Sequence, residues 1–335
     1  MRTAADAASY GSDRAGLVYG YAFEPEREGR PVDSDSAAQW LARQPDRGFL
    51  WLHFSSANSA SETWLRRHVE LPAVFYESLR EGASTRVEAI DDGLLAIVND
   101  VQFFAHEASS VSSVTFYIAP RVAVSARTTA LRSIDRLRGA VRAGAVFSST
   151  AALLAHLLRD QADVMVEIVR GATRQVDEAE DRIISGRTVS RVTLGTMRRT
   201  LVRLQRLLTP EPAALFRLLS RPPSWLTDGD VGDLRQSAEE LSTAVADSVA
   251  LVERVRLLQE ELTALLNEQT NRTLFILTVV TVLALPMTII PGLFGMNVGG
   301  IPLTASPAGF WIVLVVMVLV VLVGAGLVLA AWQER

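Results

Sequence analysis

The sequence predicts an α+β membrane protein: an N-terminal α/β domain, a long stalk helix and two C-terminal transmembrane helices. Three observations lead there. Short β-like runs alternate with polar turns up to about residue 130. Long helical patterns take over from Ser149. Two uncharged apolar runs, Leu274–Phe294 and Phe310–Trp332, close the chain, and each exceeds the roughly 20 residues needed to cross a bilayer. The expected divisions are an α/β domain over 1–148, a helical stalk over 149–270 and a transmembrane hairpin over 271–335.

In the first segment the strand pattern falls on Leu17–Phe23, Phe49–Phe54, Arg86–Ile90, Gly93–Phe104, Ser113–Ala119 and Val122–Ser125. Ser36–Gln44 and Ser59–Val69 read as amphipathic helices between them. Breaks near Ser185–Gly186 and at Pro210, Pro212, Pro222 and Pro223 divide the helical region. From Asp230 to about Gln269 the only Gly or Pro is Gly232. Leu234, Ala238, Leu241, Val245, Val252, Val255, Leu262 and Leu266 recur at three- and four-residue steps, with Ser248 and Gln259 interrupting. That spacing suits a helix packed in an oligomer or one packed within its own domain. No stop signal precedes Leu274, so a helix running from Asp230 to Phe294 would extend roughly 95 Å.

Composition excludes several classes. The chain has 335 residues, a net charge of −4 and no cysteine, so it carries no disulfide scaffold or Cys-based zinc site. No basic run or basic-aromatic stripe points to nucleic acid. MRTAADAASYGSDRAG lacks the apolar core of a secretory signal, so the large N-terminal part is expected to stay in the cytoplasm. No nucleotide loop, nucleophile elbow or metal-ligand cluster argues for an enzyme. The four histidines, at 53, 68, 106 and 156, are scattered without an i,i+4 pair of histidines and read as structural or exposed.

The two spans differ. FWIVLVVMVLVVLVGAGLVLAAW has no hydroxyl, amide or charge, and Trp311 and Trp332 bracket it about 32 Å apart on a helix, as an aromatic belt would. It can face lipid all round. LFILTVVTVLALPMTIIPGLF carries Thr278, Thr281 and Thr288. With Asn271, Leu274, Leu285 and Gly292 they fall on one 3.5-residue stripe. A polar stripe in hydrocarbon faces a partner helix or water, although a lone threonine can also satisfy itself on its own backbone. One hairpin cannot enclose water, so a wet stripe requires several copies around an axis, first spans inside and second spans outside. The short loop 295–309 makes the hairpin antiparallel and puts both termini on one side, the cytoplasmic one by the position of Arg272 and Arg335.

Between the spans lies PGLFGMNVGGIP, residues 291–302. Gly295 permits a tight reversal, and the Asn297 amide oxygen can accept from water in a cation's shell. The helix end contributes roughly half a negative charge. Neutral groups cannot replace a divalent ion's hydration, but they can hold the ion with its water. An ordinary turn is the plainer reading of the same residues.

The order of stalk, NRTLFILTVVTVLALPMTIIPGLFGMN, short loop and second span resembles the CorA superfamily of two-helix GxN metal-ion transporters. GMNVGGIP, with TRVEAIDDGLLAIV and SSVTFYIAPRVAVSAR upstream, resembles its ZntB zinc-transporter branch. The resemblance implies a homopentameric funnel in the cytoplasmic membrane, an ion mouth at Gly295, Met296 and Asn297, and a pore lined by Asn271, Leu274, Thr278, Thr281, Leu285 and Thr288, with Gly292 continuing the stripe. Leu274 and Leu285 would be apolar constrictions. It implies Zn²⁺ as the transported ion, with Mg²⁺, Co²⁺ or Ni²⁺ passing by the same hydrated route, no cofactor, no direct protein ligand to the metal, and proton linkage. The partners implied are the chain itself, the bilayer and divalent cations.

Two features depart from the wider superfamily: Val298-Gly299-Gly300 stands where many members carry an acidic residue, and WQER replaces a polybasic tail. Neither span holds a carboxylate, His or Arg, so proton dependence is expected from the cytoplasmic funnel or pore water. Glu239, Glu240, Asp247, Glu253, Glu260, Glu261 and Glu268 could line that funnel or simply be solvated. A magnesium/cobalt channel of the same superfamily, and a non-transporting membrane-anchored scaffold or sensor, remain as alternatives.

Overall fold

A computed structural model describes residues 11–43, 47–80, 85–104, 107–127, 132–296, 298–303 and 306–333. The chain divides into two compact units, Met1–Leu257 and Leu258–Arg335.

The first unit is built on a seven-stranded sheet in the order β2-β1-β3-β7-β6-β5-β4. The strands are β1 (Leu17–Phe23), β2 (Arg30–Val32), β3 (Phe49–Ser55), β4 (Arg86–Ile90), β5 (Gly93–Phe104), β6 (Glu107–Ala119) and β7 (Val122–Arg127). Only the central β3–β7 pair is parallel. Alternation with period two splits the side chains between two buried layers. Phe49, Trp51, Leu94, Ala96, Phe116 and Ala123 join one core. Leu50, Leu52, Leu95, Ile97, Tyr117 and Val124 join the other.

The second core is covered by α1 (Ser34–Arg43), α2 (Ser59–His68) and α3 (Ala73–Arg80), through Ala37, Leu65 and Phe75. The first is covered by α4 (Arg132–Arg142), α5 (Thr150–Ile184), α7 (Pro210–Leu219) and the start of α8 (Asp228–Phe294), through Ile134, Leu154, Leu215 and Leu234. α6 (Arg191–Leu208) lies between α5 and α7 in sequence.

Four elements stand out against the sequence expectation. β6 begins at Glu107 rather than Ser113, because its serine-rich start pairs with β5 along the whole hairpin. α1 begins at Ser34, since the Asp33 carboxylate accepts the Ser36 amide at 2.8 Å and caps the first turn. The short β2 and α3 carry too few residues for periodicity to announce them.

A buried polar knot fixes the helices on the sheet. The Asn99 amide on β5 donates to Glu211 Oε1 of α7 at 2.8 Å. Its side chain donates to the Leu207 carbonyl at 3.1 Å and to Thr85. Gln161 of α5 donates to the Asn99 carbonyl.

In α8, Leu234, Ala238, Leu241, Val245, Ser248 and Val255 are buried within the chain. This part of the heptad seam packs inside its own domain. Ser248 interrupts it because it receives Gln205 of α6 at 3.0 Å. Arg254 grips Glu180 of α5 with two bonds of 2.8 and 2.6 Å.

The second unit holds the end of α8 and all of α9 (Gly309–Gln333). Both helices are long and apolar enough to cross a membrane.

Candidate ion path

The hairpin fixes which faces of the span remain free. Along the apolar end of α8 the half-buried positions are Phe275, Val279, Leu283, Pro286 and Ile290; along α9 they include Val313, Leu314, Met317, Val321, Gly324 and Ala325. These are the faces the two helices press together. A Cβ at Gly324 would lie 3.8 Å from both Leu283 and Val282, an ordinary contact distance, so the two helices meet at this point.

Asn271, Leu274, Thr278, Thr281, Leu285, Thr288 and Gly292 are all exposed. At 100° per residue their stripe is centred about 130° around α8 from the face that meets α9. Within one chain the second helix therefore does not cover the threonines.

Each threonine hydroxyl donates to its own helix. Thr278 reaches the Leu274 carbonyl and Thr281 the Leu277 carbonyl, both at 2.8 Å. Thr288 reaches the Leu285 carbonyl at 3.0 Å. This is the ordinary way a helix accommodates threonine, and it has a chemical consequence. With its proton engaged, each hydroxyl oxygen offers only lone pairs outward. Water around a cation points its hydrogens outward, so a row of acceptors complements a hydrated cation.

α8 ends at Phe294. The Gly295 amide donates to the Pro291 carbonyl at 2.8 Å and the Met296 amide to Leu293 at 3.4 Å. A Cβ at Gly295 would stand 3.0 Å from the Pro291 oxygen, so any side chain there would push that carbonyl aside by a few tenths of an ångström. Pro286 and Pro291 lie inside the helix, and neither supplies an amide proton, which frees the carbonyls of Val282 and Met287. Met296 is 49% exposed. Asn297 lies outside the described residues. The return is also shaped by glycine: a Cβ at Gly309 would meet the Leu303 oxygen at 2.4 Å.

Carried back in sequence, the same three- and four-residue steps fall on Asn267, Ala264, Glu260, Leu257, Glu253, Ala250, Ala246, Thr243 and Glu239, all exposed. Of the seven acidic stalk positions, Glu239, Glu253 and Glu260 thus share the register of the threonines. Glu253 is bonded to Arg256 at 3.0 Å, which holds its carboxyl below the usual range.

Among the described residues no three His, Cys, Asp or Glu side chains come together to hold a metal. His53 is buried beside Ser125, Nδ1 to Oγ 2.7 Å. Burial, then Arg127 and Arg138, hold it well below the ordinary imidazole range. His68 stacks on Trp64. His156 stands beside Asp160 on α5, whose carboxyl is raised by burial against the opposing pull of His156 and Arg136. His106 lies outside the described residues. The i,i+4 spacing of His and Asp in HLLRD is the sequence signal of this pair.

The sequence pattern of the family described as CorA-like Mg²⁺ transporter proteins matches residues 46–328. This chain belongs to that family. Among its relatives is the zinc transport protein ZntB of Pectobacterium carotovorum, 27% identical over 287 residues, 85% of this chain and 86% of that one. The divalent cation transporter CmaX of Pseudomonas aeruginosa is 29% identical over 309 residues, 90% of this chain and 91% of the relative. A solved structure of full-length CmaX superposes with a TM-score of 0.80 at 25% identity, covering 96% of this chain and 98% of that one. The CorA-like architecture is therefore shared through both the α/β unit and the apolar hairpin.

Proposed function

We propose that this CorA-like chain assembles as a homopentamer in the cytoplasmic membrane, both termini in the cytoplasm, and passes divalent cations, zinc among them, with their water attached. The observation that carries the reading is the threonine face. Every hydroxyl of the first span lies on a stripe that the second helix leaves uncovered, and every one presents lone pairs outward. Five first spans around an axis would give that face water. Five second spans outside would give lipid a surface with no hydroxyl, amide or charge.

In this reading Gly295, Met296 and Asn297 form the outer mouth. Five helix ends bring roughly two and a half negative charges to it, which attracts cations without a carboxylate. Asn271, Leu274, Thr278, Thr281, Leu285, Thr288 and Gly292 line the pore, and rings of Leu274 and Leu285 close it by dewetting. No span residue titrates near neutral pH, so any proton dependence arises in the cytoplasmic unit or in pore water.

Zinc is favoured by the likeness to ZntB; the likeness to CmaX supports the broader class of divalent cations. Uptake of labelled Zn²⁺ and Mg²⁺ into liposomes holding the purified chain, with and without a pH gradient, tests the reading. Zn²⁺ uptake that Asn297→Leu abolishes, with assembly intact, is the expected result. A chain that moves neither ion, or an Asn297→Leu variant with full flux, would leave a membrane-anchored scaffold.

A further inference from the structure

At the closed end of the hairpin, the last turn of α8, the return and the start of α9 enclose a cleft of about 440 Å³. Its walls include Pro291 and Phe294 of α8, Leu303 and Ser306 of the return, and Leu314 and Met317 of α9. Gly295 and Gly309 border it and bring no side chain into it. From Phe310 to Met317 the cleft runs about 10 Å along α9, a third of a bilayer core about 30 Å thick. Trp311, packed beside Phe310 and 64% exposed, marks this end as the level of the membrane interface.

Two features distinguish the cleft from the gap beneath a slack turn. Leu303 holds φ at 73°, the left-handed region that a leucine rarely adopts. Its carbonyl lies 2.4 Å from where a Cβ on Gly309 would stand. A residue stays in that conformation only where its surroundings fix it. Ser306 is the polar side chain of an otherwise apolar lining. Its Oγ accepts from the Ala308 amide at 3.3 Å, and no described residue accepts its proton, which is left to donate.

This inference rests on the reading that the hairpin spans the bilayer, and it concerns what the hairpin binds there. An apolar cleft in hydrocarbon holds no water, and left empty its walls forfeit their dispersion contacts. We propose that one acyl chain of a membrane phospholipid lies in the cleft against Phe294 and Met317, with its ester carbonyl accepting from Ser306 Oγ. The order of chemistry matches: a hydroxyl donor at the interface end, then about 10 Å of apolar wall reaching into the core. A helix from a second copy does not fit. With side chains it is about 10–12 Å across, and over the same length it would fill roughly twice the volume of the cleft.

The test uses the full-length chain in liposomes doped with a phospholipid that carries a photoactivatable diazirine near the middle of one acyl chain. Labelled residues are mapped by mass spectrometry. Leu314 and Met317 are expected to take label that saturates and that excess unmodified phospholipid competes away. Leu319 and Leu322, 59% and 66% exposed on the other side of α9, should take label in simple proportion to the probe. Ser306→Ala should lower labelling of Leu314 and Met317 about fivefold, the worth of one net hydrogen bond, and Ser306→Thr should retain it. Leu314→Trp fills the cleft and should abolish label at Met317 while Leu319 and Leu322 keep theirs. The proposal is overturned if Leu319 and Leu322 are labelled but Leu314 and Met317 are not, or if Ser306→Ala and Leu314→Trp both label as the wild type does. Label at none of the four would overturn it together with the membrane placement beneath it, so the two failures are distinguishable.

Discussion

Thr281→Val isolates the chemistry assigned to the pore face, because valine keeps the shape of threonine and removes only the hydroxyl. The lost bond, Thr281 Oγ1 to the Leu277 carbonyl at 2.8 Å, duplicates the bond that carbonyl makes in the helix ladder. Folding should change by no more than about 0.5–1 kcal/mol. Transport should change far more. In the proposed ring of five, one substitution removes five outward-facing acceptors from a single layer. A hydrated ion touching two or three of them would lose about 1–4 kcal/mol, taking each net hydrogen bond at about 0.5–1.5 kcal/mol. At roughly 1.4 kcal/mol per factor of ten, flux falls by about fivefold to several hundredfold. Zinc entry into liposomes, followed with an entrapped fluorescent indicator, measures this, and size-exclusion chromatography checks assembly. Val315→Thr, a hydroxyl added on an exposed position of α9, is the control and should conduct normally. Full flux in Thr281→Val, or an equal loss in Val315→Thr, would refute the assignment of the threonine stripe to the water-filled side.

Two further outcomes follow from single contacts. Gly295→Ala places a Cβ 3.0 Å from the Pro291 oxygen, which forces the helix end to shift; flux should drop with assembly preserved, and an unaffected variant would remove the tight end from the mouth. His53 is held neutral by burial and by Arg127 and Arg138, so its unfolded form takes up a proton at higher pH than its folded form. Stability is full above the ordinary imidazole value and is lost as pH falls below it, at a slope of up to about 1.4 kcal/mol per pH unit. Urea melts across pH 7.5 to 5 should show that slope flattened in His53→Gln, and an unchanged slope would mean another group drives it.

Legibility in the sequence followed the range of the interactions involved. β1, β4 and β5 have the bounds their alternation predicts, since period-two patterning is local. The end of α8 at Phe294 was legible for the same reason: Gly295 and the apolar run mark it. The start of β6 was not, because only pairing with β5 makes strand from its serines. The heptad seam of α8 was visible, but the neighbour that fills it was not; Gln205 reaching Ser248 across 43 residues decides the matter at that layer. The threonine stripe was visible too, and the hairpin adds what no sequence pattern holds: which face of α8 the second helix takes. The polar knot at Asn99 gave no advance sign, since its partners Gln161, Leu207 and Glu211 are remote in sequence.

The placement of donors and acceptors also bears on how an ion could be chosen. A divalent cation surrenders its water only to charged or strongly donating ligands, because neutral oxygens cannot replace its hydration energy. The spans carry no carboxylate or imidazole, and their hydroxyl protons are engaged with backbone carbonyls. Such a surface can order the outer hydrogens of a hydrated ion and do little more. Zn²⁺ and Mg²⁺ with their water are close in size, so a path of this kind separates them poorly by itself. Nitrogen separates them well, and all four histidines of this chain lie outside the two apolar runs. Choosing zinc over magnesium by nitrogen is therefore not something the spans can supply.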